Sequence, residues 1–255
     1  MHLRQIQSKE KALSEWAILV GYRGSVAHGM YLPPEQKTGV DDIDIMSVCV
    51  PPIEYYYGLE YFGNKGTKEI FEEEWDIVVY EIRKYLRLLE KGNPNVISLL
   101  WLEPQDYIKI TPEGQLLIDS RDIFSTKEIY HSFAGYAYDQ LYKMEHAACK
   151  GYMGEKRKKL VEQFGYDTKN AAHLVRLLRM AIEFLGTGKF IVKRPDASQL
   201  LDIKNGVWTL EEVKAEAELL FYQAEQAYKN SSLPETIDRE KVNALAIAIT
   251  SAMHV

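Results

Sequence analysis

The feature that most constrains this chain is a change of hydrophobic period near residue 124. Before it, short apolar runs and period-2 alternation dominate. After it, apolar residues recur at helical spacing almost to the end. In the first half, Trp16 to Tyr22 is a short apolar run that reads as a buried strand, and Asp42 to Val50 opens by alternating charge with aliphatic. Pro51-Pro52 stops that strand, and Trp75 to Tyr80 reads as a third. Residues 3–16 and 81–91 have helical spacing, the second ending at Gly92-Asn93-Pro94. Residues 55–66, with Tyr55, Tyr56, Tyr57 and three glycines, read as a loop or irregular flap. In the second half, helices are expected over 127–150, 155–163, 168–186, 209–228 and 238–253. Asp167 supplies an N-cap, and Thr209 with Glu212 forms a capping box. The expected architecture is an α/β (α+β) part with a small mixed sheet over 1–124, followed by a helical part over 125–255.

Composition removes several classes. A 46% apolar and 27% charged chain of 255 residues is an ordinary globular sequence. The net charge of −6 gives no support for bulk nucleic-acid binding, so any such binding needs a local basic patch. Cys49 and Cys149 have no metal-ligand spacing and are expected to be small buried side chains. The N-terminus is polar, and no apolar run approaches the roughly 20 residues that span a bilayer, so a cytoplasmic chain with no membrane partner is expected. No Gly-x4-Gly-Lys-Ser/Thr occurs, which disfavours a P-loop enzyme.

The chemistry-bearing residues fall in order along the first half. Gly24-Ser25 ends one expected strand, Asp42-Ile43-Asp44 opens the next, and Asp76 lies on a later one. Residues two apart on a strand point to the same side, so Asp42 and Asp44 present two carboxylates together while Ile43 and Ile45 turn away. Asp41 is a further acid beside them, but only Asp42 shares parity with Asp44. Converging carboxylates suit a hard oxygen-seeking cation, Mg²⁺ or Mn²⁺. Such ions would bridge the phosphates of a nucleoside triphosphate and stabilise the leaving pyrophosphate. Gly24 would admit a phosphate close to the backbone, and the Ser25 hydroxyl and the amides after it would donate to it. Asp76 is either the general base or the third metal ligand.

This trio resembles the signature of the polymerase-beta nucleotidyltransferases, in which an aliphatic-Gly-Ser segment precedes an Asp-x-Asp strand and a third carboxylate follows. Here the segment between Ser25 and Asp42 is longer than usual, with residues 33–39 as the apparent insertion. A narrower resemblance spans most of the chain: Gly-Ser-Val-Ala-His-Gly at 24–29, Gly-Asn-Pro-Asn at 92–95, Gly-Tyr-Met-Gly at 151–154, and Tyr166-Asp167-Thr168-Lys169-Asn170-Ala171-Ala172-His173-Leu174-Val175-Arg176. These are similar to nucleotidyltransferases associated with RNA repair in bacteria and phages. The resemblance implies a nucleotidyltransferase fold with a helical second domain, and transfer of a nucleotide to an acceptor such as an RNA end.

The helical half adds a physical hint. Lys150, Lys156, Arg157, Lys158 and Lys159 against Glu155 give residues 150–159 a charge of +4, and Lys156, Arg157 and Lys158 are candidate RNA or phosphate contacts. Lys169, His173 and Arg176 fall at i, i+4 and i+7, on one helix face, and are candidate nucleotide contacts. His28, between Ala27 and Gly29, reads as a helix cap, and the three tyrosines as flap packing or a base-stacking surface. Two other readings compete. One keeps the chemistry but modifies a protein side chain or a small molecule such as an aminoglycoside, a cationic acceptor that would need an acidic pocket. The other is a catalytically silent nucleotide-binding or antitoxin-like module, which loss of an acid would favour. The base, the acceptor and the oligomeric state are left open.

Overall fold

A computed structural model describes residues 10–32, 43–72, 75–146 and 155–254. The chain forms two compact units. Among the described residues, the first gathers those within 1–28, 42–125 and 237–255, and the second those within 29–41 and 126–236. A cut at residue 124 therefore differs from these units in two places: the C-terminal helix belongs with the sheet, and residues 29–32 with the helices.

The first unit is built on a five-stranded sheet. Its strands are β1 (Ala17–Tyr22), β2 (Ile43–Cys49), β3 (Thr67–Glu72), β4 (Trp75–Glu81) and β5 (Tyr107–Ile110), in the order β3-β4-β2-β1-β5. Only β2 and β4 are parallel to each other, so the sheet is mixed. Every residue of β1 is buried, and so is every residue of β2 except Asp44. That burial on alternating faces explains why both strands read as near-continuous apolar runs.

The short helix α1 (Lys11–Ser14) precedes β1, and α2 (Gly24–Ala27), α3 (Glu54–Tyr57) and α5 (Pro94–Ile97) lie between strands. Longer ones, α4 (Ile82–Glu90) and α6 (Pro112–Asp119), pack on the sheet. α4 buries Ile82, Tyr85, Leu86 and Leu89, the i, i+3, i+4, i+7 stripe seen in the sequence. In α6, Gly114 lies so close to the sheet that a Cβ would stand 2.1 Å from the Ile18 carbonyl oxygen. The last helix, α12 (Arg239–Met253), lies against both α4 and α6. Cys49 is fully buried, and burial raises its thiol pKa above the ordinary value, so it is an inert packing residue. Cys149 lies outside the described residues.

The second unit contains α7 (Glu128–His146), α8 (Glu155–Phe164), α9 (Thr168–Thr187), α10 (Ala197–Lys204) and α11 (Leu210–Asn230). α9 is its centre: 12 of its 20 residues are buried, and α7, α10 and α11 pack around it. Its ends follow sequence chemistry. The Asp167 side chain accepts from the Asn170 N–H, and Gly188 closes the helix in the left-handed conformation at φ 70°. α11 starts with the Thr209–Glu212 capping box, both hydrogen bonds of which are present. No helix among the described residues is long and apolar enough to cross a membrane.

Candidate active site

The site in the first unit is set by strand register. β2 and β4 are parallel, and Asp44 is the direct Cα partner of Asp76. Neighbouring strands lie about 4.8 Å apart and aligned residues project to the same face, so the two carboxylates stand side by side. On that face the next β2 residue, Met46, is fully buried, whereas Asp44 is only partly covered. The acids thus occupy the rim where the core ends. Their side chains are 30% and 35% exposed, open enough to meet a ligand and covered enough for the charges to matter.

The end of β1 completes the arrangement. The Arg23 N–H donates to the Asp44 carbonyl oxygen at 2.9 Å, which carries the β1–β2 ladder up to the Gly-Ser motif. Gly24 then turns into the left-handed region at φ 61° and starts α2. A Cβ on Gly24 would lie 2.2 Å from Asp44 Oδ2. So the glycine is required by the carboxylate itself: the space of its missing side chain is filled by Asp44. The two motifs, 20 residues apart in sequence, are one steric unit. Ser25 follows on α2, and His28 closes that helix as its C-cap, its N–H donating to the Gly24 carbonyl.

Two carboxylates side by side repel, and the structure places a cation between them. Arg23 Nη2 lies 3.6 Å from Asp44 Oδ1 and 3.6 Å from Asp76 Oδ2. Sequence reasoning missed Arg23; its only signal was a charged residue at the end of an apolar run, directly before Gly24-Ser25. Among the described residues no cluster of three His, Cys, Asp or Glu side chains comes together. Asp44 and Asp76 are a pair, and Asp42, expected beside Asp44 as the other of the first two metal carboxylates, lies outside the described residues. The donor set fits a divalent cation in chemistry: oxygen-only, anionic, partly exposed, and already arranged around positive charge.

The candidate residues of the second unit sit on α8 and α9. Lys158 is exposed, and only the backbone of Lys156 and Arg157 is described. Lys169 is exposed in the first turn of α9, His173 is half-buried, and Arg176 is half-buried with Nη1 3.3 Å from Met180 Sδ. Burial, and then repulsion from Arg194, pulls the Arg176 guanidinium down to about 9, with Asp196 opposing.

Close by is a network the sequence did not reveal. Arg194, almost wholly buried, donates to both Glu183 oxygens at 2.6 and 2.8 Å and to Asp196 at 2.8 Å. Arg179 donates to Asp196, Glu216 and Gln199. Burial raises the Asp196 carboxyl, but the hydrogen bonds from Arg194 and Arg179 outweigh it and hold the pKa below its ordinary value.

The tyrosines of the flap pack against the first unit. Tyr55 meets Trp16 edge-on at 5.6 Å, Tyr56 lies under the Arg83 guanidinium at 4.3 Å, and Tyr57 is exposed.

Comparison with known proteins agrees with the family and fold expected from the sequence. The chain matches the model of the RNA repair pathway DNA polymerase beta family, RlaP, over residues 1–248. No curated protein matches it. Among solved structures, a nucleotidyltransferase-like protein from Exiguobacterium sibiricum 255-15 aligns over 86% of this chain and 71% of its own, at 11% identity and a TM-score of 0.30, too distant to bear on the site. The chain belongs to the RNA repair pathway DNA polymerase beta family, and its fold is the α+β nucleotidyltransferase fold with a helical C-terminal part.

Proposed function

From that family membership, we propose that the protein is a divalent-metal-dependent nucleotidyltransferase that moves a nucleoside monophosphate from a nucleoside triphosphate to an RNA end. The observation that carries the proposal is the in-register pair Asp44 and Asp76, with Gly24 folded against the Asp44 carboxylate. Asp44, Asp76 and Asp42 would hold Mg²⁺ or Mn²⁺. That cation would supply charge neutralisation at the phosphates and a lowered pKa for a bound hydroxyl.

The chain's own residues do the rest. Gly24 leaves the Asp44 carboxylate free of steric pressure, and the Ser25 hydroxyl donates to a phosphate oxygen. Asp76 completes the cation's ligands or accepts the proton of the attacking hydroxyl. In the helical unit, Lys169, His173 and Arg176, on one face of α9, are the proposed nucleotide contacts. The basic run with Lys156, Arg157 and Lys158 on α8 supports RNA over a cationic acceptor.

The test is incubation with Mg²⁺, each α-labelled triphosphate in turn, and bacterial RNA, beside Asp44→Asn. Label on RNA only with the intact acid supports the proposal and names the nucleotide. Label on protein alone would transfer the acceptor to a polypeptide. No label on any acceptor, with triphosphate still bound, would reject the catalytic reading.

A further inference from the structure

The position of Arg23 goes one step beyond the carboxylates. Its backbone is fixed by the 2.9 Å hydrogen bond to the Asp44 carbonyl and by the extended conformation before Gly24. Its side chain is not fixed in the same way. Both contacts to carboxylate oxygen are 3.6 Å, beyond the 2.7–3.2 Å of a directional N–H···O bond. Nε is buried and has no hydrogen-bond partner. A guanidinium offers five donors and binds carboxylate or phosphate best as a fork. Here a single nitrogen, Nη2, is shared between two acids without forking onto either, and the buried Nε donor has no partner. Such a group neutralises the pair but is poorly satisfied by it.

Resting on the nucleotidyltransferase reading, we infer that Arg23 is an exchangeable counter-ion and a positioning residue. It holds Asp44 and Asp76 in register while no cation is bound. When a divalent cation takes those oxygens, like charge drives the guanidinium off them, and its forked donors, Nε included, turn to the phosphates of the incoming triphosphate. The cation and Arg23 therefore compete for the same carboxylate oxygens. The cation and the triphosphate, through Arg23, cooperate.

This predicts effects of opposite sign from one substitution. Arg23→Met keeps an apolar stem and removes the charge. Mn²⁺ binding to the full chain without nucleotide, read by electron paramagnetic resonance, should tighten severalfold. Binding of a non-hydrolysable triphosphate in saturating Mn²⁺ should weaken by about tenfold, the effect of losing one hydrogen bond to a charged group. Arg23→Lys keeps the charge without the fork, so its Mn²⁺ affinity should stay near wild type while triphosphate binding still falls. A merely structural role would weaken both affinities together. That result, or no change in either, in a variant with an unchanged melting curve, would overturn the inference. Asp44→Asn separates the two levels. If wild type binds Mn²⁺ and Asp44→Asn does not, the metal site stands and only the role of Arg23 is in question. If wild type binds no Mn²⁺, both readings fall.

Discussion

Two carboxylates lie five residues apart on the same strand and are treated in opposite ways. Asp76, at the start of β4, is a third exposed, and Arg23 reaches it only at 3.6 Å. Glu81, at the end of β4, is 5% exposed and saturated. It accepts from the Arg83 N–H at 3.0 Å, the Lys84 N–H at 3.3 Å and Arg83 Nε at 3.0 Å, and so caps α4. The same contrast recurs in the helical unit, where Glu183 and Asp196 are filled by Arg194 and Arg179. A structural acid has its lone pairs satisfied by the protein. On the proposed function, an acid kept at the rim, beside a like charge and under a loosely held cation, is the one that meets a ligand. The distinction predicts which acids cost stability when neutralised and which cost turnover.

The largest effect is expected at Asp44. Asp44→Asn should lower label transfer by at least about 10²-fold, the scale of removing one preorganised group at a reacting centre, with little change in the melting curve. Turnover near wild type would erase the contrast. Next is the opposite class: Arg194→Ala should cost about 3 kcal/mol in urea unfolding, because it leaves Glu183 and Asp196 without their buried partner. A loss under about 0.5 kcal/mol would show that the network is not structural. Gly24→Ala combines the two, since it strains the left-handed backbone and drives a methyl into Asp44. About 2 kcal/mol of stability and most of the activity should go together, and a stable, active variant would uncouple the motifs.

The smallest effect is in pH. Asp196 has a folded pKa below its unfolded value of about 3.9. Its contribution is therefore complete above that pH and disappears as pH falls through the folded value. The acid limb of the stability curve, below about pH 4, should be shallower in Asp196→Asn than in wild type. Superimposable limbs would remove Asp196 from the structural class.

Much of the fold is legible in the sequence, and the omissions have physical causes. β1, β2 and β4 are central strands whose burial forces apolar runs, and Asp44 and Asp76 each open one of them. β3 and β5 escape notice because they are edges. Thr67–Glu72 mixes acids with an exposed Phe71, and Tyr107–Ile110 is only four residues long, as edge strands tend to be. α6 is hidden by Pro112 and Gly114, which read as breakers but serve here as N1 proline and close-contact glycine. α10 is a two-turn helix with too few residues to display a period. At the site, residue types single out Asp44 and Asp76 as candidates, whereas their pairing comes from register: nothing in the sequence says that they are partners across β2 and β4. Arg23 and the Arg194 network are invisible for the same reason, since each bridges residues that only the folded chain brings together. The sequence also attributes Gly24 to phosphate approach; the folded chain adds the nearer requirement, the Asp44 carboxylate.

The most direct test compares the two acids of β4 in parallel. Asp76→Asn and Glu81→Gln are assayed for label transfer to RNA per folded molecule and for urea stability. The account predicts that Asp76→Asn loses transfer and keeps its stability within about 1 kcal/mol. Glu81→Gln should lose about 2 kcal/mol and keep its transfer. Transfer that survives in Asp76→Asn, or that disappears equally in both, would contradict the assignment of Asp44 and Asp76 as the reacting pair.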